Sequence, residues 1–190
     1  MTTEAEDWLE ENAMIKRYTK IAIGLHWAIA ILIFCAFPLG FYMHDLKLSP
    51  AKLHLYSYHK WIGITVLALA ILRVLWRITH KPPALHIARW QETASRLVHG
   101  LLYLLMLAVP VSGWLMSSAK GVKTVWLGIL PLPDLVEKNK ALGELLGNVH
   151  TALNYTMLLL VLLHVAAALK HHFVDRDDVL LRMLPMKGTP

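Results

Sequence analysis

The chain has 190 residues, of which 56% are hydrophobic and only 17% are charged, and its mean hydropathy is +0.48. This length suits a single domain, and a soluble domain of the same size would carry more charge. The formal net charge of +6 and the pI of about 9.5 fit contact with anionic membrane lipid. Nucleic acid is not expected as a partner, because the sequence has no compact basic domain to bind it.

Four stretches of the chain are almost free of charge: Ile21–Met43, Trp61–Leu72, Gly100–Ser118 and Val149–Leu169. The second stretch reaches full length if it begins near Tyr56 and ends near Ile78. A helix needs about 20 apolar residues to cross roughly 30 Å of hydrocarbon, and a helix satisfies its own backbone hydrogen bonds in lipid. We therefore predict an all-α membrane protein with transmembrane helices at about 21–43, 56–78, 99–118 and 148–171. They form one up-and-down bundle within a single domain, 1–190. Helices buried in a soluble bundle are the alternative, but such a short chain leaves nothing to cover them.

The distribution of Lys and Arg predicts the orientation. Of the 19 basic residues, seven lysines fall on one predicted side: Lys47, Lys52, Lys60, Lys120, Lys123, Lys138 and Lys140. The other twelve, including every Arg, fall on the side that holds both termini. The positive-inside rule therefore places both termini in the cytoplasm. The first span is not predicted to be a cleaved signal peptide, because its apolar run is too long and five acids precede the first Lys.

The connection over residues 117–147 is the one long loop. It mixes apolar residues with Pro131, Pro133 and several glycines, and we predict an interfacial helix near Leu135–Leu146. The loop either covers a pocket or only packs on the bundle. Four tryptophans near span ends are predicted to lie in the membrane interface: Trp27, Trp61, Trp76 and Trp114.

Four of the eleven histidines lie within the predicted spans and not at their cytoplasmic ends, at positions where ionisable residues are rare and usually functional. His26 lies in the cytoplasmic half of the first span, whereas His59 and His150 lie in the outer half. His164 follows His150 by 14 residues, which is about 21 Å along a helix and returns to nearly the same face. The sequence therefore predicts two layers, one of His26 with His164 and one of His59 with His150.

Two imidazoles that face each other across a bundle suit a six-coordinate haem iron. Zinc transport or proton pumping would require Asp or Glu beside the histidines, and the four spans contain none. The chain has no C-x-x-C-H motif, so a bound haem is predicted to be of the b type. Two further interpretations stay open at this stage: histidines that only form hydrogen bonds between helices, and a structural four-span protein.

A series of short motifs follows the chain in order: Gly24-Leu25-His26-Trp27, Tyr58-His59-Lys60 with Gly63 and Arg73, His99-Gly100 with Tyr103 and Pro110, His150, Leu163-His164-Val165-Ala166-Ala167-Ala168, His171-His172-Phe173 and Leu181-Arg182-Met183-Leu184-Pro185. In these motifs the chain resembles the bacterial cytochrome b561 family of dihaem, quinone-linked proteins of the inner membrane. The resemblance extends from about residue 15 to 186. It implies two haem b groups whose iron is bound by His26, His59, His150 and His164, in the pairs given above.

The resemblance also implies electron transfer with ubiquinone, and in one branch of the family the oxidation of superoxide. Arg73, at the cytoplasmic end of the second span, is predicted to bind a haem propionate, because a guanidinium bonds carboxylates bidentately. His99 and His172 are predicted to bond a propionate or the quinone.

Two functions remain. One is an oxidoreductase that moves electrons between a periplasmic donor, with superoxide as a candidate, and ubiquinone. The other is a cytochrome b anchor subunit that exchanges electrons between the quinone pool and a partner redox protein. Lysines on the outer side, among them Lys47, Lys52 and Lys60, would attract a small anion.

Overall fold

The structure, a computed structural model, describes residues 17–83 and 87–185. The acidic segment before residue 17 and two of the basic residues used for the orientation, Lys16 and Lys187, lie outside the described residues.

Four long helices make up the described chain: α1 (Lys20–Asp45), α2 (Pro50–Thr79), α3 (Arg89–Ala119) and α4 (Lys140–Lys170). A π-helical turn, His171–Asp175, continues α4, and a 3-10 turn follows at Leu181–Met183. Two short antiparallel strands, β1 (Val125–Trp126) and β2 (Leu130–Pro131), form a hairpin between α3 and α4. All four helices are long and apolar enough to cross a membrane. The predicted all-α, four-span fold is confirmed.

Helices α2, α3 and α4 begin six to ten residues before the predicted spans, and polar residues cap α2 and α4 before the apolar run starts. The side chains of Ser49 and Asn139 accept hydrogen bonds from the third residue beyond each cap, at the starts of α2 and α4. His59 and His150, which the sequence placed near the first turns of their helices, therefore lie well inside them. Helix α3 begins at Arg89, ten residues before the predicted span, and its first turns are polar.

Packing is closest between helices that are consecutive in the chain: α1 with α2, α2 with α3, and α3 with α4. Side chains from all four helices meet in a central cluster that includes Ile29, Val66, Leu105, Val109 and Met157. Many other large apolar side chains point outward, as Phe34 does with 79% of its surface exposed. An apolar exterior of this kind is suited to lipid, because water would make it unfavourable.

The beginning and the end of the described chain meet at one end of the bundle. The guanidinium of Arg17 donates to the carbonyl of Leu184, and the indole of Trp27 donates to the carbonyl of Met183 at 2.8 Å. We call this end, residues 17–20, 77–83 and 170–185, the terminal face. The opposite end, residues 46–49 and 120–139, is the hairpin face.

The hairpin of the long loop is tied to α2. The indole of Trp61 donates to the carbonyl of Val125 at 2.7 Å, and the indole of Trp126 donates to the hydroxyl of Thr65 at 3.1 Å. The ammonium of Lys60 donates to two further loop carbonyls. These are the contacts of a loop that packs on the bundle.

The predicted interfacial helix near Leu135–Leu146 is wrong as a separate element. Residues 132–139 are not helical, and residues 140–146 form the first turns of α4. The backbone N–H of Leu135 donates to the hydroxyl of Ser118, and that of Asn139 donates to the carbonyl of Ala119, so this segment is held against the end of α3. The Asn139 side chain then caps the helix, which begins at the next residue.

Replacing Trp61 with Phe tests how the hairpin is held. The ring remains, but its hydrogen bond to Val125 is lost, and such a bond stabilises a fold by about 1 kcal/mol. We expect the amides of residues 122–131 to exchange with solvent about fivefold faster, as measured by hydrogen–deuterium exchange. Trp90→Phe is the matched control, because Trp90 is 70% exposed and lies at the other end of the bundle. Unchanged exchange in Trp61→Phe would show that the bond does not hold the loop.

Candidate functional site

The structure places the four intramembrane histidines in two pairs. The terminal pair joins His26 of α1 to His164 of α4, with ring centres 6.1 Å apart and ring planes at 73°. The hairpin pair joins His59 of α2 to His150 of α4, with ring centres 6.4 Å apart and planes at 88°. The sequence predicted these neighbours. Their role as iron ligands stays a prediction.

The spacing of both pairs suits one metal ion between two imidazoles. A bond from an imidazole nitrogen to a metal is about 2 Å long, so two rings on opposite sides of one ion have centres roughly 6 Å apart. All four rings are half-buried between apolar spans, and the neutral imidazole is a good axial ligand for iron. The residues present therefore fit a haem iron at each pair.

A hydrogen bond fixes the ring of His150 from behind. Its Nδ1 donates to the carbonyl of Val109 at 3.1 Å, and the hydroxyl of Ser112 lies 2.9 Å from the same nitrogen. An imidazole whose Nδ1 is bonded to a backbone carbonyl keeps Nε2 for a metal, and this arrangement is common among histidine ligands. The described contacts therefore leave Nε2 of His150 as the nitrogen for iron.

Two glycines lie against the rings of the hairpin pair. A Cβ atom at Gly40 of α1 would be 3.3 Å from Cε1 of His59, and one at Gly113 of α3 would be 3.0 Å from Cε1 of His150. Nδ1 of His59 is buried and makes no hydrogen bond of good geometry within the described chain, although the Ala36 carbonyl is close to it. The absence of a side chain at Gly40 and Gly113 therefore leaves room for the rings of His59 and His150.

A third histidine adjoins the terminal pair. The ring of His99 lies edge to face with that of His164, with centres 5.1 Å apart, and Nδ1 of His99 donates to the carbonyl of Ser95 at 2.7 Å. This spacing is shorter than the roughly 6 Å that one shared ion requires. The geometry therefore favours His26 over His99 as the partner of His164.

Arg73 joins three helices near the terminal pair. Its guanidinium donates to the carbonyl of Ala22 on α1 at 3.0 Å and lies over the ring of Tyr103 on α3, 5.7 Å from the ring centre. These contacts hold one positive charge at the edge of the bundle core.

The two histidines of the π-helical turn, His171 and His172, have different surroundings. The ring of His172 packs on Phe173, with centres 4.7 Å apart, and no described ring contact joins it to the terminal pair. Nδ1 of His171 is instead 2.6 Å from a carboxylate oxygen of Asp177 and 3.3 Å from one of Asp175. The sequence singled out His172, whereas the structure shows that His171 is the one held by carboxylates.

Together, the fold and the paired rings define a class of protein: a four-span membrane bundle with histidine pairs between its apolar helices. Comparison with known proteins identifies the family. Residues 17–186 match the family model described as prokaryotic cytochrome b561. The chain belongs to that family. It is accordingly a multi-pass cytochrome of the bacterial inner membrane that carries b-type haem and takes part in electron transport.

Named relatives agree with this assignment. The chain is 35% identical to cytochrome b561 homolog 2 of Escherichia coli, over 89% of this chain and 92% of that protein. It is 31% identical to cytochrome b562 of Cereibacter sphaeroides, over 88% of this chain and 94% of the relative. It is 27% identical to the probable superoxide oxidase CybB of Yersinia pestis, over 92% of this chain and 99% of the relative.

Sequence reasoning missed the residues that position the histidines. Ser112 and the Val109 carbonyl lie on a different helix from His150, and no local pattern links them. Gly40 and Gly113 are ordinary glycines of apolar spans until the helices are packed. Gly63 has no such neighbour, because a Cβ atom there would meet no described atom within 4 Å.

Replacing Gly113 with Ala tests the ring position of His150. The new methyl would press on the ring, whereas helix propensity alone would favour Ala by up to about 1 kcal/mol. We expect a shifted midpoint potential or absorption band for the haem signal that disappears in His150→Ala, and no shift in the other signal. Gly147→Ala is the control, because its methyl would make an ordinary 3.6 Å contact with Met116. Identical titrations for Gly113→Ala and the unmodified protein would show that the glycine does not set the ring.

Proposed function

We propose that the chain binds two haem b groups, one at each histidine pair, and transfers electrons between a donor at the hairpin face and ubiquinone. The observation that carries this proposal is the pairing itself. The two pairs draw on α4 at positions 14 residues apart, a rise of about 21 Å, so they lie at two depths of the membrane.

Haem b bound by two histidines supplies reversible one-electron chemistry, with no iron position left for oxygen. The protein residues hold and insulate it. Val109 and Ser112 keep the ring of His150 oriented, and the apolar spans exclude water from both pairs. The predicted spans contain no Asp or Glu, so proton exchange is assigned to the two faces.

The terminal face is assigned to the cytoplasm. Every described Arg lies at or near it, including Arg73 and Arg77 at the end of α2, whereas the basic residues of the hairpin face are all lysines. The positive-inside rule favours this orientation, which makes the hairpin face periplasmic.

The terminal pair has polar groups beside it that suit a propionate and a quinone. Arg73 is proposed to bind a haem propionate with its fork of N–H donors. Because Nδ1 of His99 donates its hydrogen bond to the Ser95 carbonyl, its Nε2 is proposed to bond a quinol hydroxyl next to His164. His172 is proposed for the same region on the strength of the sequence motif.

Superoxide is proposed as the donor. A relative at 27% identity is named a probable superoxide oxidase, and the hairpin face presents exposed lysines such as Lys47 and Lys123. A positive surface raises the local concentration of a small anion.

The second candidate function is an anchor subunit for a partner redox protein. The hairpin tip favours it, because Leu127 is 49% exposed and Ile129 is 83% exposed beside the proposed donor face. An anchor would copurify with its partner, whereas a stand-alone oxidoreductase would be isolated without one.

Haem content and four single variants test the two-haem arrangement. The purified protein is expected to contain two haems per chain with the low-spin spectrum of bis-histidine iron. His26→Ala and His164→Ala should lose one spectral component, and His59→Ala and His150→Ala should lose the other. Loss of the same component in His26→Ala and His59→Ala would contradict the pairing, and histidines that only packed together would leave the spectrum intact in all four variants.

Ionic strength tests the donor. Steering weakens as the Debye length falls from about 10 Å at ~0.1 M salt to about 3 Å at ~1 M. Stopped-flow reduction by superoxide should therefore slow severalfold over that range, and also in Lys47→Glu with Lys123→Glu. Lys52 and Lys60 are left unchanged, because each donates to loop carbonyls. Reduction by a quinol, which is neutral and arrives through lipid, is the control and should not respond. A rate of haem reduction by superoxide that does not change with salt concentration would exclude electrostatic steering.

A further inference from the structure

A cavity of about 220 Å³ opens at the terminal face between the start of α1 and the end of α2. Its wall includes the cations Arg17, Arg73, Arg77 and Lys81, together with Trp76 and Tyr103. Among the described residues, no Asp or Glu lines it. The cavity therefore concentrates positive charge at one edge of the bundle.

The described acids of the terminal face, and Glu92 in the first turn of α3, are paired with other groups. Glu92 binds Arg96, Asp175 binds Lys170, and Asp178 binds Arg182. Asp177 is bonded to His171. None of the described ion pairs involves Arg77 or Lys81, which are exposed at the rim. The rim cations are thus available for an anion from outside the bundle.

The inner wall of the cavity is rigid. The guanidinium of Arg73 is bonded to the Ala22 carbonyl, and the indole of Trp76 donates to the Thr19 hydroxyl at 2.9 Å while stacking on the ring of His80 at 3.8 Å. The guanidinium of Arg17 donates to Leu184. A preformed wall of this kind lowers the entropy cost of binding an anion.

The cavity also lies where lipid headgroups lie. Helix α2 ends at Thr79, directly beside it, after a long apolar stretch whose outward side chains include Ile78, 74% exposed. Basic pockets between transmembrane helices bind anionic lipid headgroups, and Arg bonds phosphate bidentately.

We propose that this cavity binds the phosphate of an anionic phospholipid, with Arg77 and Lys81 as its main contacts. The acyl chains would lie along the apolar side of α2, next to Ile78. Phosphate anions are the shared chemistry, and the position at the end of a span selects a lipid over free phosphate. The proposed lipid contacts, Arg77 and Lys81, lie at the outer rim of the cavity, whereas Arg73, proposed above to bind a haem propionate, forms its inner wall.

The test uses the full-length, haem-loaded protein in detergent, with binding of short-chain phosphatidylglycerol measured by native mass spectrometry. We expect phosphatidylglycerol to bind at least tenfold more tightly than phosphatidylcholine of equal chain length, whose headgroup is neutral overall. Arg77→Gln with Lys81→Gln should reduce that affinity about tenfold or more, with haem content and spectrum unchanged. Arg89→Gln with Arg176→Gln is the matched control, because it removes two positive charges from exposed residues that do not line the cavity.

Four outcomes would overturn the proposal. Equal affinity of the unmodified protein for phosphatidylglycerol and phosphatidylcholine would overturn it without any variant. Displacement of the lipid by inorganic phosphate, but not by chloride at the same ionic strength, would assign the cavity to free phosphate. Loss of haem in Arg77→Gln with Lys81→Gln would assign it to a propionate. Lipid binding that occurs only after deletion of residues 2–13 would assign it to the acidic segment of the chain itself, which includes Glu10 and Glu11.

Discussion

The histidine pairs impose the main constraint on this bundle. Helix α4 packs closely on α3, and it also presents one ring to α1 and another to α2, at distances that leave room for a metal ion. Polar rings in an apolar layer are unfavourable without partners. The bundle therefore brings imidazoles of α1 and α2 against those of α4, and the small central cluster around Met157 supplies the apolar packing.

At both ends of the bundle, tryptophan N–H groups donate hydrogen bonds that connect the helices to neighbouring segments. Trp27 and Trp76 bind the backbone or hydroxyl groups of the terminal face, whereas Trp61 and Trp114 bind carbonyls of the long loop. The sequence predicted that these residues lie in the membrane interface, and that location stays a prediction. An indole at the interface places its ring in the apolar layer and its N–H against a polar acceptor, and here the acceptor is the protein itself.

The two faces differ in charge and in structure, which suits a protein that handles different molecules on each side. The terminal face combines arginines, paired carboxylates and a cationic cavity, whereas the hairpin face has lysines around an apolar tip. Salt screens these surface charges but has little access to the histidine pairs, because their rings lie between apolar helices. Surface charge therefore tunes which molecules approach, and the buried rings decide what chemistry is possible.

Much of this molecule follows from the sequence by itself. The four spans follow from the lack of charge in long apolar stretches, because lipid admits only helices there. The pairing of His26 with His164 and of His59 with His150 follows from depth, because the rise per residue converts position in a span into height. Local signals failed in the long loop, where apolar residues near Leu135 suggested a helix, but contacts with the end of α3 hold this segment in a non-helical conformation up to the Asn139 cap.

Only the tertiary structure decided which groups surround each ring. The Val109 carbonyl, Ser112 and Gly113 act on His150 from a neighbouring helix, and a single sequence holds no record of how two helices are rotated against each other. The same holds for the cavity that gathers Arg17 with Arg77 and Lys81. Charge can be counted along a chain, but whether it is spread over a face or collected in one cavity depends on helix packing, which distant apolar contacts determine.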